Sequence, residues 1–585
     1  MIHHRITFAV VLCALWSGIT RGEEHTLHTF ERQRLTDVYY SEGATAGDLN
    51  QDGQADVVYG PYWFAGPDFK EKHELYPPAA QNREGYADNF FSWIYDFNGD
   101  GRPDIFVVGF PGTPAYVYEN PGSDGWDKHW PKHQVFDWVS NESPQLTNIY
   151  GDERPELVCT RDGFFGFATV DWDKPFEAWT FHPVSVQIAA SRFGHGLGIG
   201  DVNGDGRPDI LHAQGWFEQP ANNAADSRWK QHDVKFTSAY GGAEMYAYDV
   251  DGDGDNDIIT SDAAHDFGLG WYEQVASEDG PTFQYHEIMG DHPADNMYGV
   301  LFTEPHSVNL VDIDGDGLKD IVTGKTFYSH HRQSPMWDAG AVVYWFRLTR
   351  GDDGVQWIPY QADGEAGIGR QVSVVEITGD GLPDIVVGGM KGAHVLRHQV
   401  RNVSAEEWEQ AQPQVYDGPP PPSAKGAEAR RGPSPTIDAN SGTVTNAIEG
   451  ESLTPHVSAG QARAQEMQGF SGSKWSGNGQ LFWTGAQPGD VMEIPVTADE
   501  AGDAELEIVF TCARDYGVVQ LSFDDQQLGE PLDFYNSGVI SSGVLNFPLK
   551  KLAAGKHTLK IQVVGTHPQA VKAYMVGLDY LRLKP

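Results

Sequence analysis

The chain has 585 residues, with 83 Asp+Glu against 40 Lys+Arg, a formal net charge of −43 and 40% hydrophobic residues. The apolar and aromatic content is too high for a disordered acidic chain, and the acidity opposes a nucleic-acid partner, whose phosphates it would repel. At roughly 150 residues per domain, several domains are expected.

At the start of the chain, Arg5 precedes an almost wholly apolar run from Ile6 to Trp16, and small and polar residues follow as far as Gly22. Residues 1–22 have the layout of a secretory signal peptide, too short to span a membrane. Leu12 before Cys13 matches a lipoprotein signal poorly, so a soluble protein, secreted or periplasmic, is expected. No later segment reaches ~18 uninterrupted apolar residues, the length of a spanning helix. Cys159 and Cys512 remain, far apart in sequence, and read as buried small hydrophobes rather than a disulfide framework.

An Asp-rich phrase then recurs. It runs Asp48, Asn50, Asp52, Gly53, Asp56, then Asp96, Asn98, Asp100, Gly101, Asp104, then Asp201, Asn203, Asp205, Gly206, Asp209. It returns as Asp249, Asp251, Asp253, Gly254, Asp257 and as Asp312, Asp314, Asp316, Gly317, Asp320. Two weaker copies are Glu376, Thr378, Asp380, Gly381, Asp384 and Asn148, Tyr150, Asp152, Glu153, Glu156. The intervals are 48, 52, 53, 48, 63 and 64 residues. Short alternating apolar runs flank each copy, giving four short strands per repeat. The pattern predicts an all-β chain whose residues 23–402 form a seven-bladed β-propeller. The segment His28–Leu35 is expected to complete the last blade and remove its open edge.

Oxygen ligands at positions 1, 3, 5 and 9, with a glycine at 6 for the sharp turn, suit a hard cation of calcium size. The phrase resembles the FG-GAP/VCBS repeats of integrin-α-like propellers. That resemblance implies structural Ca²⁺ in the five intact loops, a weak seventh site at Glu376, Asp380 and Asp384, and an empty third loop.

Residues that break the repeat are functional candidates. His133, His182, His232 and His286 share one repeat position and are expected to pack. Six residues before each loop, where the innermost strand begins, stand Glu42, Phe90, Glu142, His195, Ala243, His306 and Arg370. In a propeller these ring one mouth of the central channel. The turns after the second strands add Tyr62, Trp63, Arg161, Asp262, His265, Asp266, Lys325, Tyr328, His330 and His331. His195, His306, His265, His330, His331, Arg370 and Tyr328 are the catalytic candidates, suited to acid–base chemistry or to a second metal.

Residues 403–445, with Gly418-Pro-Pro-Pro-Pro422, read as an extended tether. Residues 446–585 alternate as a β-sandwich. Glu449-Gly-Glu451, the Ala554-Gly-Lys-His turn and Leu578-Asp579-Tyr580 resemble the galactose-binding-type jelly rolls of carbohydrate-binding modules. The resemblance implies a structural Ca²⁺ at Glu449, Glu451 and Asp579, with Trp475, Trp483, Tyr516 and Tyr535 as sugar-stacking candidates.

Two functions fit this organisation. One is an exported calcium-binding protein that recognises or scaffolds a polysaccharide or oligosaccharide, with a protein partner left open. The other is a polysaccharide lyase or sugar dehydratase using the His-rich propeller face.

Overall fold

The computed structural model describes residues 25–584, apart from 223, 224, 226, 238–240, 278, 279, 329–333, 338, 352, 353, 419–434, 439, 440, 471, 472, 525, 537, 568 and 569. The expected signal peptide, residues 419–434 of the Pro-rich tether, and His330 and His331 therefore lie outside the described residues. Strands dominate, and among the described residues no helix is long and apolar enough to cross a membrane.

Residues 25–403 form five four-stranded sheets and one eight-stranded sheet. The four-stranded meander is repeated: strands Thr45–Gly47, Asp56–Tyr59, Tyr62–Phe64 and Lys72–Glu74 pair antiparallel in chain order, as do Asn89–Tyr95, Asp104–Gly109, Ala115–Tyr118 and Lys132–Phe136. The eight-stranded sheet is two such meanders, joined where Leu197–Gly200 pairs parallel with Glu244–Tyr248. In the last sheet the outer strand is the start of the chain: His25–Thr36 pairs antiparallel with Gly392–Val403.

The second strand of each meander is buried on both faces, as in Asp56–Tyr59 and Asp320–Gly324, which accounts for its unbroken apolar runs. Aromatics in the third strands stack on the fourth. Trp216 lies flat on His232 at 3.9 Å, and His232 Nε2 meets Glu218 at 2.7 Å. Trp271 and His286 repeat the arrangement at 4.4 Å, so these histidines pack and hydrogen-bond as expected.

Neighbouring meanders are stitched together just ahead of their first strands. Glu42 N–H donates to Asn89 O (2.9 Å), Glu142 N–H to Gly194 O (2.7 Å) and Arg370 N–H to Glu42 O (2.6 Å). Parallel bridges link Gly43 to Gln371 and Thr326 to Ile368. These stitches bring distant stretches of the chain to one place.

The segment 403–445 departs from an extended tether at both ends. Ser404 accepts from Glu407 N–H (3.3 Å) and caps the helix Ala405–Ala411, whose Trp408 stacks on His25 at 5.0 Å. Tyr360 Oη donates to Gln412 (2.7 Å), which fastens the helix end to the last but one meander. At the other end Ile437 bridges Val444, and Val444 is buried with Val509 and Tyr580. Cap chemistry and one apolar residue outweigh the polar composition there.

From Ile448 onward a seven-stranded and a five-stranded sheet face each other. Burial alternates strictly along Gly517–Phe523, and Leu506, Ile508 and Phe510 of one sheet share a core with Leu521, Leu559 and Ile561 of the other. Cys159 and Cys512 are both buried.

Candidate functional site

Five of the seven residues that precede the first strands converge. His195 and His306 come from two of these positions, and His265 comes from the turn after Asp257–Ser261. Their ring centroids are 4.6 Å apart for His195–His265, 4.5 Å for His265–His306 and 5.5 Å for His195–His306. One ring nitrogen from each lies within 4.8 Å of one from each of the others. Carboxylates back all three rings. Glu304 Oε2 is 3.3 Å from His306 Nε2 and 3.8 Å from His265 Nδ1, and Glu142 Oε2 is 3.6 Å from His195 Nε2.

Behind Glu142, the fully buried Arg370 guanidinium donates through Nε at 3.0 Å. Glu42, the fifth of these residues, takes a hydrogen bond from Tyr39 Oη and another from Ala87 N–H (3.2 Å). Phe90 and Ala243, at the remaining two positions, are apolar and join the core.

The electrostatics follow from burial and pairing. Burial alone would neutralise Glu142, but His195 and then Arg370 outweigh it and hold the carboxyl well below the usual range. Glu304 is likewise buried and is held low by His265 and His306. Burial, then Arg370 and His265, keep the His306 imidazole neutral, and burial lowers His265 as well. Glu42 is pushed up by burial despite Arg370. A neutral His306 imidazole beside the ionised Glu304 can accept a proton or ligate a metal. His265 alone reaches solvent appreciably, with 29% of its side chain exposed against 5% for His195 and 0% for His306.

Other candidates are engaged elsewhere. Tyr328 donates to Glu84 (2.7 Å) and packs beside Phe327. Tyr62 and Trp63 belong to the core, Trp63 stacking on His73 at 4.2 Å. Arg161 pairs with Asp137 (2.8 Å) and covers Trp138.

In the Asp-rich loops the position-9 carboxylate has a job that the spacing did not disclose. Asp209 Oδ2 accepts from Val202 N–H (2.9 Å) and Oδ1 from Gln219 N–H (2.8 Å), tying the loop to the end of the third strand. Asp104, Asp257, Asp320 and Asp384 make the same two links, and Asp56 makes them to Leu49 and Gly66. Glu156 keeps the first link, to Ile149 N–H (3.0 Å), in the degenerate loop. There Glu153 holds the left-handed φ of 71° that glycines adopt in the other loops. The persistence of an acid at 156 in a loop that has lost its glycine was the available signal.

The remaining loop donors are all oxygens, the chemistry of a hard cation. Asp249, Asp251 and Asp257 bring theirs within 4.8 Å, as do Asp312, Asp314 and Asp316. Asp48, Asn50 and Asp52 gather through Asp52 N–H, which donates to Asp48 (3.2 Å) and Asn50 (2.9 Å), and Asp96, Asn98 and Asp100 repeat this. Arg102 and Arg207 reach Asp100 and Asp205, and Arg347 reaches Asp316 (3.0 Å).

In the second region, Glu449, Glu451 and Asp579 each bury a carboxylate oxygen that has no hydrogen-bond partner. Burial first, then Glu449 and Glu451, push Asp579 up to about 8. Three orphaned oxygens in mutual repulsion fit a bound cation.

Three of the four sugar-stacking candidates must be corrected. Trp475, Trp483 and Tyr516 are buried, Trp475 Nε1 donating to Thr511 (2.8 Å) and Trp483 Nε1 to Ala459 O (2.9 Å), while Tyr516 Oη accepts from Gln480 (3.1 Å). The large apolar rings complete the sandwich core. Tyr535 remains half-buried, stacked on His567 at 4.4 Å. It lines a cavity of about 450 Å³ with Tyr272, Tyr285, Asp262, Asp266 and Lys235 of the first region. Asp266 adjoins His265, and its backbone carbonyl accepts from Glu304 N–H (3.1 Å), so the cavity abuts the histidine cluster.

No family model matches the chain, and no curated protein matches it. Among solved structures it is similar to an Agrocybe aegerita lectin described as recognising non-reducing terminal N-acetylglucosamine, at 15% identity over 58% of this chain and 81% of that one (TM-score 0.32). It is also similar to the C-terminal CBM6 of the LamC laminarinase from Zobellia galactanivorans, at 15% identity over 24% and 98% (TM-score 0.17). A Paenibacillus xanthan lyase matches at 9% identity over 92% and 42% (TM-score 0.22).

Proposed function

We propose that the chain is an exported seven-bladed β-propeller of FG-GAP/VCBS type, carrying a carbohydrate-binding jelly roll, and that it acts on extracellular or periplasmic glycans as a lyase or dehydratase. The observation that supports this reading is the meeting of His195, His265 and His306, drawn from separate repeats, with Glu304, Glu142 and Arg370 packed behind them. A wet channel mouth has no need of two buried carboxylates held ionised against imidazoles; a centre that takes a proton from carbon beside a carboxyl or keto group does.

The cavity beside this centre supplies what a sugar needs. Tyr272, Tyr285 and Tyr535 offer ring faces, and Asp262 and Asp266 offer hydroxyl acceptors. The jelly roll then acts by lending Tyr535 to the cavity, since its other aromatic candidates are core residues. Calcium at the Asp-rich loops and at Glu449, Glu451 and Asp579 is structural in this reading, and stabilises the folded chain by mass action.

The test is incubation with a panel of acidic and neutral oligosaccharides, following unsaturated products and retention separately. Product from at least one glycan is expected; retention without product from any of them would leave a binding protein.

A further inference from the structure

We propose that His195, His265 and His306 are the protein ligands of a single divalent first-row transition-metal ion, chemically distinct from the oxygen-only sites of the Asp-rich loops. This inference concerns the same cluster as the lyase or dehydratase reading but does not depend on it.

The convergence is the first support. Each ring comes from a different part of the repeat array, and one nitrogen of each lies within 4.8 Å of one from each of the others. Around a tetrahedral ion with nitrogen bonds of ~2.05 Å, ligand atoms sit about 3.3 Å apart, so a modest inward turn of the rings closes the set. His265 is on a turn and is partly exposed.

The rings are also inclined to one another, at 81°, 67° and 46°. Two of the contacts are T-shaped and the third is tilted, so none of the three rings is stacked on another. His232, by contrast, lies flat on Trp216 at 2°.

The surroundings are those of ligating histidines. A metal-bound imidazole is oriented by a carboxylate or carbonyl on its other nitrogen. Glu304 Oε2 lies 3.3 Å from His306 and 3.8 Å from His265, Glu142 lies 3.6 Å from His195, and Arg370 fixes Glu142 from behind, so carboxylates stand close enough to take up that role. Glu304 is fully buried, and a dication beside the two rings it touches offsets its charge.

Ligand type sets the class of ion. Three imidazoles suit zinc and its first-row neighbours, while calcium and magnesium take oxygens. Three protein ligands would leave a fourth position open, and the partial exposure of His265 gives the cluster a route to solvent.

The test uses the tag-free full chain, stripped by chelator, resupplied with excess Ca²⁺ to fill the oxygen sites, and titrated with Co²⁺ and then Zn²⁺. One equivalent of Co²⁺ is expected to bind with the visible absorption of a four- or five-coordinate site, and Zn²⁺ to abolish it. His265→Ala, partly exposed and so least damaging to the fold, should weaken Co²⁺ binding by at least ~100-fold, and Glu304→Gln by ~10–100-fold through loss of the orienting carboxylate. Thermal melting in Ca²⁺ certifies that each variant is folded, with His306→Asn as a second ligand variant. A Co²⁺ spectrum that is absent, or unchanged in folded His265→Ala and His306→Asn, overturns the metal centre. Metal binding without product from any glycan upholds the centre and defeats the enzymatic reading alone.

Discussion

Glu304 and His306 are two residues apart yet form a buried ion-pair geometry, with Oε2 3.3 Å from Nε2. Glu304 takes a left-handed φ of 63°, and His306 N–H returns to the Glu304 carbonyl at 2.9 Å. Such a conformation costs a non-glycine residue roughly 1–2 kcal/mol, and here it points a carboxylate at two imidazoles. Glu304→Gln keeps the shape and removes the charge. It should lower the rate of product formation by about 100-fold or more, the lower end of a lost acid–base contribution, while shifting the melting temperature little. Parallel rate and melting measurements check this.

Arg370 and Glu142 neutralise each other in the interior. Arg370→Met leaves the Glu142 charge buried and should cost about 3–5 kcal/mol in urea unfolding. Adding Glu142→Leu should recover much of that loss. A double variant no more stable than Arg370→Met would show that the pair is not coupled.

The position-9 acids act as backbone staples. Asp209→Asn should destabilise the chain by about 1–3 kcal/mol, because a carboxylate that accepts at both ends is replaced. That loss should persist in chelator. Asp205→Asn, which loses only the exposed pairing with Arg207 within its own loop, should cost more in Ca²⁺ than in chelator. Melting temperatures of both variants with and without Ca²⁺ separate the two roles.

His212 and His394 are buried, each with a ring nitrogen lacking a hydrogen-bond partner. Burial pushes both down to about 4; Asp233 works against it at His212, and Arg32 reinforces it at His394. A histidine lowered in the folded state contributes stability that is present above the unfolded value of about 6.5 and is lost as pH falls toward 4. Each site should cost up to ~3 kcal/mol across that window. His212→Phe, beside Phe165 and Phe217, should flatten the fall between pH 6.5 and 4 in denaturant titrations.

Trp483 and Tyr535 should behave oppositely. Trp483→Ala empties a core site and should cost about 3–5 kcal/mol. Tyr535→Ala should leave unfolding nearly unchanged and weaken retention on the glycan that is turned over. Retention that is insensitive to Tyr535 would remove the cavity from the account.

Much of the β architecture was legible because the repeat supplies its own alignment. Asp48 to Asp384 mark the turn between first and second strands in each unit, and residues six positions earlier fall together. That register brought His195, His306, Glu142, Glu42 and Arg370 to attention. Glu304 escaped it, because it lies in a bend outside any strand and acts through a backbone angle that no spacing encodes. The sandwich aromatics were misread for a different reason: Trp475 and Tyr516 sit among polar residues in sequence, Trp483 follows Leu481 and Phe482, and only the facing of two sheets decides which rings turn inward. The start of helix Ala405–Ala411 was written in Ser404 and the glutamates after it, but was obscured by the proline run that follows.

The central claim is that the histidine cluster turns over a glycan, and the most direct measurement compares the full chain with His265→Ala on the same glycan panel, by ultraviolet absorbance of newly formed unsaturation. The account predicts a steady rise for at least one glycan with the native chain and none with His265→Ala, while both remain folded and both retain the glycan. Equal rates in the two proteins, or no rise with any glycan, would contradict it.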